Sequence, residues 1–157
     1  MGLNRTERGG ARAHLITAAL LAGALAASRA LPAVTPLDDG RRLAASLGAD
    51  RRAELAHGVA WTGEGVVVLP FDEPGAQGRI RGAVVVRAGE IDDVRLFAAR
   101  EGVDRRALAA PTWLASFRGM KIDAPVAVDA ISGATISSQA LVDAIERRLR
   151  DWRERSR

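Results

Sequence analysis

Residues 79–97 read RIRGAVVVRAGEIDDVRLF. Two apolar-rich runs, Arg79–Arg87 and Ile91–Phe97, flank Ala88-Gly89-Glu90, where Gly89 can supply the positive φ of a tight hairpin. In the second run, apolar and charged residues alternate imperfectly, which predicts one covered face and one partly wet face. This stretch therefore predicts an antiparallel β-meander.

Strand and turn signals continue on the N-terminal side of this hairpin. Val66–Leu69 is a β-branched run that predicts a strand, and Pro70–Gly78 (PFDEPGAQG) predicts a turn-rich connection. Further towards the N-terminus, Arg51–His57 (RRAELAH) predicts a short helix that ends at Gly58.

Helical signals dominate the C-terminal side. Pro111-Thr112 opens a predicted helix that ends at Gly119, and Val126–Val128 predicts a short strand. A longer amphipathic helix closes the chain, with apolar residues at steps of four, four and three on one face: Leu141, Ile145, Leu149 and Trp152. The predicted fold class is α+β, a small antiparallel sheet with flanking helices.

The chain has 157 residues and no cysteine. This length suits one modest domain whose core needs no disulfide or metal to stabilise it. The lack of cysteine excludes disulfides, thiolate zinc sites, cysteine-ligated iron–sulfur clusters, covalent c-type haem and a cysteine nucleophile. Any redox function must therefore use a borrowed cofactor.

The net charge of +4 is unevenly distributed. Residues 1–30 and residues 146–157 each carry a balance of +3, which leaves residues 31–145 at −2. The chain has six aromatic residues, three tryptophans and three phenylalanines. The body therefore lacks the basic groove with interleaved aromatic rings that single-strand binders use, and we expect no nucleic-acid partner.

The first thirty residues have the layout of an export signal. Arg5, Arg8 and Arg12 precede the uncharged run Ala13–Ala27 (AHLITAALLAGALAA). A cleaved signal peptide and an uncleaved hydrophobic anchor helix both fit, and a buried core helix is the third alternative. The positive flank predicts that the remaining chain lies outside the cytoplasm, in the periplasm or at the outer side of the cell membrane.

These patterns predict three parts of the chain. Residues 1–30 are the signal peptide or membrane anchor, residues 31–57 a linker with a short helix, and residues 58–157 the functional domain.

Residues 129–138 read DAISGATISS and connect the last predicted strand to the amphipathic helix. A strand, a turn of small residues and a helix aim backbone N–H groups and a positive dipole end at an anion. Gly133 and Ala134 let a phosphate approach the backbone, while Ser132, Thr135, Ser137 and Ser138 offer hydroxyl groups. On these residues alone, a serine or threonine N-cap behind a glycine turn is the simpler alternative.

The segment 129–138 resembles the flavinylation motif of the covalent FMN-binding domain family, which includes subunits of the sodium-pumping NADH:quinone reductase and of the Rnf complex. Asp129, the triplet Ser132-Gly133-Ala134 and Ser137 match the family pattern. The resemblance implies that the Thr135 hydroxyl is esterified to the phosphate of FMN. It also implies a dedicated flavin transferase, which takes FMN from FAD with magnesium.

The resemblance covers about residues 64–150. It implies that Glu101 is an acidic neighbour of the flavin, although this chain has Arg100-Glu101-Gly102 where many members have Glu-Thr before a glycine-rich loop. The chain contains no tyrosine, so Trp61, Trp113 and aliphatic residues must supply any packing against the ring.

We expect an electron carrier with covalent FMN rather than an enzyme with its own substrate. The resemblance implies membrane association and extracytoplasmic redox partners, such as cytochromes or quinone-linked complexes. Two alternatives are an exported non-redox module that binds a protein or small ligand, with the Ser-Gly-Ala-Thr turn as a helix cap, and a flavin-dependent reductase. The sequence assigns no catalytic residue and no metal ligand.

Overall fold

The structure is a computed structural model that describes residues 36–98 and 103–157. The predicted export or anchor segment over residues 1–30 and the predicted flavin neighbour Glu101 lie outside these residues. Within the described part of the chain, no helix is both long and apolar enough to cross a membrane.

A five-stranded antiparallel sheet organises the domain, and its strands are paired in chain order. The predicted α+β class and meander are confirmed. The strands are β1 (Arg51–Leu55), β2 (Gly58–Gly63), β3 (Val66–Gly75), β4 (Gly78–Arg87) and β5 (Glu90–Ala98). Between β4 and β5, Ala88 and Gly89 have φ values of 49° and 79°, as a two-residue hairpin turn that follows the strand twist requires.

Helices cover both faces of this sheet. They are α1 (Pro36–Ser46), α2 (Val103–Leu108), α3 (Pro111–Ala115) and α4 (Thr135–Arg155). Because side chains alternate along a strand, Leu69 and Phe71 of β3 lie in the cluster beneath α4, while Val66 and Val68 lie in the cluster beneath α1. The second face is therefore buried at the sheet centre, and it is partly exposed to water along β5, where Arg95 is exposed.

The predicted helix over Arg51–His57 is wrong. Arg51–Leu55 forms β1, which pairs with β2 from Arg51 opposite Thr62 to Leu55 opposite Gly58. The helix preference of Ala, Glu and Leu amounts to a few tenths of a kcal/mol per residue, and backbone pairing with a neighbouring strand outweighs it.

Most of the predicted turn over Pro70–Gly78 is also wrong. Strand β3 continues to Gly75, and only Ala76 and Gln77 form the turn into β4. β2 pairs with β3 only over Val66–Val68, so β3 is an edge strand on that side from Pro70 onward, and an edge accommodates the missing N–H of proline.

The predicted strand over Val126–Val128 is wrong as well. This segment has no regular secondary structure, and a side chain of α4 instead of a neighbouring strand bonds its backbone at Val126. The N–H of Val126 donates to Glu146 Oε1 of α4 at 3.0 Å. The predicted helix after this segment is confirmed as α4. The helix predicted from Pro111 to Gly119 is confirmed at its start, but α3 ends at Ala115, and turns follow it as far as Gly119, whose φ is 78°.

A buried arginine fastens the β1–β2 turn to α4. Arg148 is 3% exposed, and its guanidinium donates to the carbonyls of His57 and Val59 at 2.5 and 2.6 Å. Asp151 pairs with this guanidinium at 3.3 Å and with His57 Nδ1 at 3.0 Å. Burial lowers the pKa of Arg148, whereas the negative charge of Asp151 raises it. Through these contacts the arginine is a clamp that joins the β1–β2 turn to α4.

Candidate functional site

The motif over residues 129–138 forms the irregular loop that enters α4. Thr135 is the first residue of this helix and is exposed. The other residues predicted from the motif surround it: Asp129, Ser132 and Gly133 are exposed, whereas Ala134 and Ser137 are buried. Ile136 follows Thr135 and is 72% exposed, so apolar surface lies beside the threonine hydroxyl.

Ala134 is the N-cap residue of α4. Within residues 36–98 and 103–157, no side chain hydrogen bonds to the first turn as a cap. The first N–H groups of a helix have no intrahelical acceptor, and they carry the positive end of the helix dipole. A serine or threonine cap, the simpler alternative from the sequence, is therefore not what this loop forms. The first turn remains available to an anion.

The threonine hydroxyl has one weak hydrogen bond. Thr135 Oγ1 donates to the carbonyl of Ile131 at 3.5 Å, the outer limit of such a bond. Among the described residues, no carboxylate or imidazole hydrogen bonds to this oxygen. The hydroxyl is exposed and weakly held, and no general base of the described residues contacts it.

Gly133 supplies the conformation that brings the chain into the helix. Its φ is +82°, a backbone region that L side chains rarely adopt. A Cβ at this position would have nothing within 4 Å. The residue therefore provides both a left-handed turn and open space next to the first turn of α4.

Ser138 is a site residue whose role the sequence pattern did not reveal. Its buried Oγ accepts a hydrogen bond from the N–H of Ile131 at 3.0 Å and lies 2.9 Å from the carbonyl oxygen of Ala134, to which it donates. This hydroxyl bridges the two sides of the turn. The available sequence signal was its position four residues after Ala134, one helical turn further on.

Ser137 links the motif to the sheet. It is 2% exposed, and its Oγ accepts a hydrogen bond from the N–H of Ala76 at 3.2 Å. Ala76 lies in the turn between β3 and β4, so this contact fixes the position of the first turn of α4 relative to that hairpin. The half-buried ion pair between Arg147 and Glu73, at 2.6 Å, fastens the same strand further along the helix.

A groove of about 430 Å³ adjoins the motif; this is called the Trp113 groove below. It is lined by Thr112, Trp113, Ser116, Ala127, Val128 and Asp129. The indole N–H of Trp113 donates to the carbonyl of Asp129 at 3.0 Å, and its ring meets Phe117 edge to face at 5.2 Å. Trp61, the other tryptophan expected near a ring, instead packs in the cluster beneath α1.

These features fit the phosphate ester of an aromatic cofactor. An uncapped helix start and an open glycine turn suit a phosphate group. The Trp113 groove has a volume within the range of about 300–1,000 Å³ usual for ligand pockets, and one wall is aromatic. Fold and site together define a small α+β domain that can hold a phosphate-bearing aromatic ligand at a helix N-terminus.

The family comparison agrees with this geometry. Residues 75–150, just under half of the chain, match the sequence model of the FMN-binding domain. The match runs from the end of β3 through most of α4, so it includes the β3–β4 turn, the Trp113 groove and Thr135. A search among curated proteins finds no match to the chain. The protein contains a flavin-binding domain.

Proposed function

We propose that this domain carries FMN in phosphoester linkage to Thr135 and transfers electrons outside the cytoplasm. One observation carries the proposal: within a domain of the FMN-binding family, the threonine of the Ser-Gly-Ala-Thr motif is exposed at the uncapped start of α4. A phosphate attached there keeps one negative charge beside the first-turn N–H groups and the positive end of the helix dipole.

Different residues around the loop hold different parts of the cofactor. Gly133 leaves room for the phosphate, and the N–H groups of Thr135 and Ile136 bind its oxygens. Trp113 offers an aromatic wall for the ring system, with its indole fixed by the bond to Asp129. FMN supplies one- and two-electron transfer when bound, and the protein fixes its position and tunes its potential.

Attachment requires a separate enzyme on this account. Thr135 Oγ1 contacts a carbonyl oxygen and no base among the described residues, and a threonine hydroxyl is a weak nucleophile without activation. A flavin transferase supplies magnesium and the activation. Thr135 Oγ1 then forms a bond to the FMN phosphorus of FAD and loses its proton, the pyrophosphate P–O bond breaks, and AMP leaves.

The proposed location and partners rest on the N-terminal sequence. The basic flank before the uncharged run Ala13–Ala27 favours export, either as a signal peptide or as a membrane anchor. Because the sequence shows no second set of catalytic groups, we propose redox proteins of the membrane or periplasm, such as cytochromes or quinone-linked complexes, as electron donor and acceptor.

The proposal is tested by co-expressing the chain with a flavin transferase in a host that exports it. Denatured protein is then examined for flavin fluorescence in a gel. We expect a fluorescent band for the wild type and for Thr112→Val, which removes the threonine hydroxyl of the Trp113 groove, and none for Thr135→Val. Fluorescence that survives Thr135→Val would overturn attachment at this residue.

A further inference from the structure

A second groove lies at the far end of the domain from the motif. It has a volume of about 570 Å³ and lies between the β2–β3 turn, the β4–β5 turn and the last turns of α4; this is called the sheet-end groove below. α4 has 21 residues, and a helix rises about 1.5 Å per residue, so its ends are about 30 Å apart. The sheet-end groove is therefore separate from the Thr135 site.

The floor of this groove is apolar. Ala53 of β1, Val67 of β3 and Val86 of β4 contribute side chains to it, and Trp152 forms a wall from α4. All four belong to or pack against the cluster beneath α4. The helix α4 ends beside this part of the sheet and leaves its face open. An open apolar floor of this kind suits a ring or an acyl chain.

The rim of this groove is basic. Arg51, Arg52 and Arg155 line it, and among the described residues no aspartate or glutamate does. Glu54 partly offsets one of these charges, because its carboxylate pairs with Arg52 at 2.9 Å. Its backbone carbonyl accepts a hydrogen bond from Arg155 at 3.0 Å. Arg51 forms no ion pair in the described part of the chain, so its guanidinium is free to bind an anion.

We propose that the sheet-end groove binds an amphiphilic anion, a molecule with one phosphate, carboxylate or sulfonate head and an aromatic or acyl body. The guanidinium groups bind the head by charge-assisted hydrogen bonds, and the apolar floor with Trp152 takes the body. The body of the chain over residues 31–145 has a net charge of −2. Basic residues concentrated around an apolar floor therefore distinguish this groove from the rest of the domain.

Decyl phosphate, used below its micelle-forming concentration, is the probe for this groove. Binding to the full chain is measured by calorimetry and by two-dimensional NMR. We expect shifts at the amides of Gly65 and Gly89 and at the indole of Trp152, all of which line the groove. Affinity should fall about tenfold in Arg51→Gln, as the loss of one charge-assisted hydrogen bond predicts.

Matched probes and a matched variant test separately whether the arginines bind the charged head and whether the apolar floor binds the body. Arg106→Gln removes an exposed arginine of α2 outside the groove and should leave the affinity unchanged. Inorganic phosphate and decyl maltoside, which lack the body or the charge, should each bind at least tenfold more weakly. Absence of decyl phosphate binding, equal losses in both arginine variants, or shifts confined to Gly133 and Thr135 would each overturn the proposal.

The same chemistry could come from a free solute or from a lipid headgroup. Phosphatidylcholine vesicles with and without phosphatidylglycerol distinguish these sources. Sedimentation with the anionic vesicles that is lost in Arg51→Gln and in excess decyl phosphate identifies a lipid source. Decyl phosphate binding without vesicle sedimentation identifies a free solute. Vesicle binding that persists in Arg51→Gln and is not reduced by excess decyl phosphate would contradict a role for the groove.

Discussion

The hydroxyl of Ser138 accepts a hydrogen bond from the backbone N–H of Ile131 at 3.0 Å, and this bond spans the turn that carries Thr135. A single buried side chain thereby fixes the loop before α4 to the helix itself. Together with the bond from Trp113 to Asp129 and that from Val126 to Glu146, it gives an irregular loop a defined conformation.

Ser138→Ala removes this link and leaves the Ile131 N–H without its partner. Because an unsatisfied buried polar group costs about 1–3 kcal/mol, we expect urea denaturation to show a loss of this size. Flavin attachment should also become slower, since the turn at Gly133 is no longer held. Ser156→Ala, which removes an exposed hydroxyl at the other end of α4, should change neither quantity. A fully stable Ser138→Ala variant would show that the bond does not order the loop.

Gly133→Val tests the turn at the attachment site. A β-branched residue at a φ of +82° is strained by about 1–3 kcal/mol, and the turn must change to relieve it, so we expect flavin attachment to be lost. Gly48→Val is a matched control, because Gly48 has a φ of +76° and equally open surroundings but lies after α1. It should show a similar loss of stability with normal attachment. Normal attachment in Gly133→Val would show that flavin attachment does not depend on the glycine at this turn.

Trp113→Leu tests the groove proposed for the ring system. The change removes the aromatic wall and the indole N–H that donates to Asp129. In flavinylated protein, we expect the visible absorption bands of the flavin to shift, because the polarity and packing around the ring change. Trp61→Leu, on the opposite face of the sheet, should leave the bands in place. The same spectrum in Trp113→Leu and wild type would exclude contact between the ring and this tryptophan.

Arg148→Met tests the buried clamp between the β1–β2 turn and α4. Removing the arginine takes the guanidinium partner from the nearly buried Asp151, which keeps its contact with His57 Nδ1, and leaves the carbonyl groups of His57 and Val59 without this donor. We expect a loss of about 3–5 kcal/mol in the free energy of unfolding, measured by urea denaturation. Arg147→Met breaks a half-exposed pair with Glu73 and should cost about 1 kcal/mol or less. Equal effects in the two variants would contradict a special role for the clamp.

Local patterns predict those parts of this fold that local chemistry determines. The β4–β5 hairpin depends on Gly89 and its flanking apolar runs, and α4 depends on the apolar stripe from Leu141 to Trp152, so both could be predicted. The motif could likewise be recognised as a turn that enters a helix. Each of these features lies within one contiguous stretch of the chain.

The errors arise where distant residues determine the structure. β1 is a strand because β2 pairs with it, and Pro70 lies within β3 because β2 stops pairing two residues earlier. The backbone N–H of Val126 donates to Glu146, twenty residues away, instead of to a neighbouring strand. The role of Ser137 follows from its partner Ala76 in the β3–β4 turn, which no spacing within the motif reveals.

The most direct test of the central claim is peptide mass spectrometry of the chain co-expressed with a flavin transferase. We predict one modified peptide, heavier by FMN less one water, whose fragments assign the added mass to Thr135. An unmodified chain, or an added mass on Ser132, Ser137 or any other residue, would contradict the account.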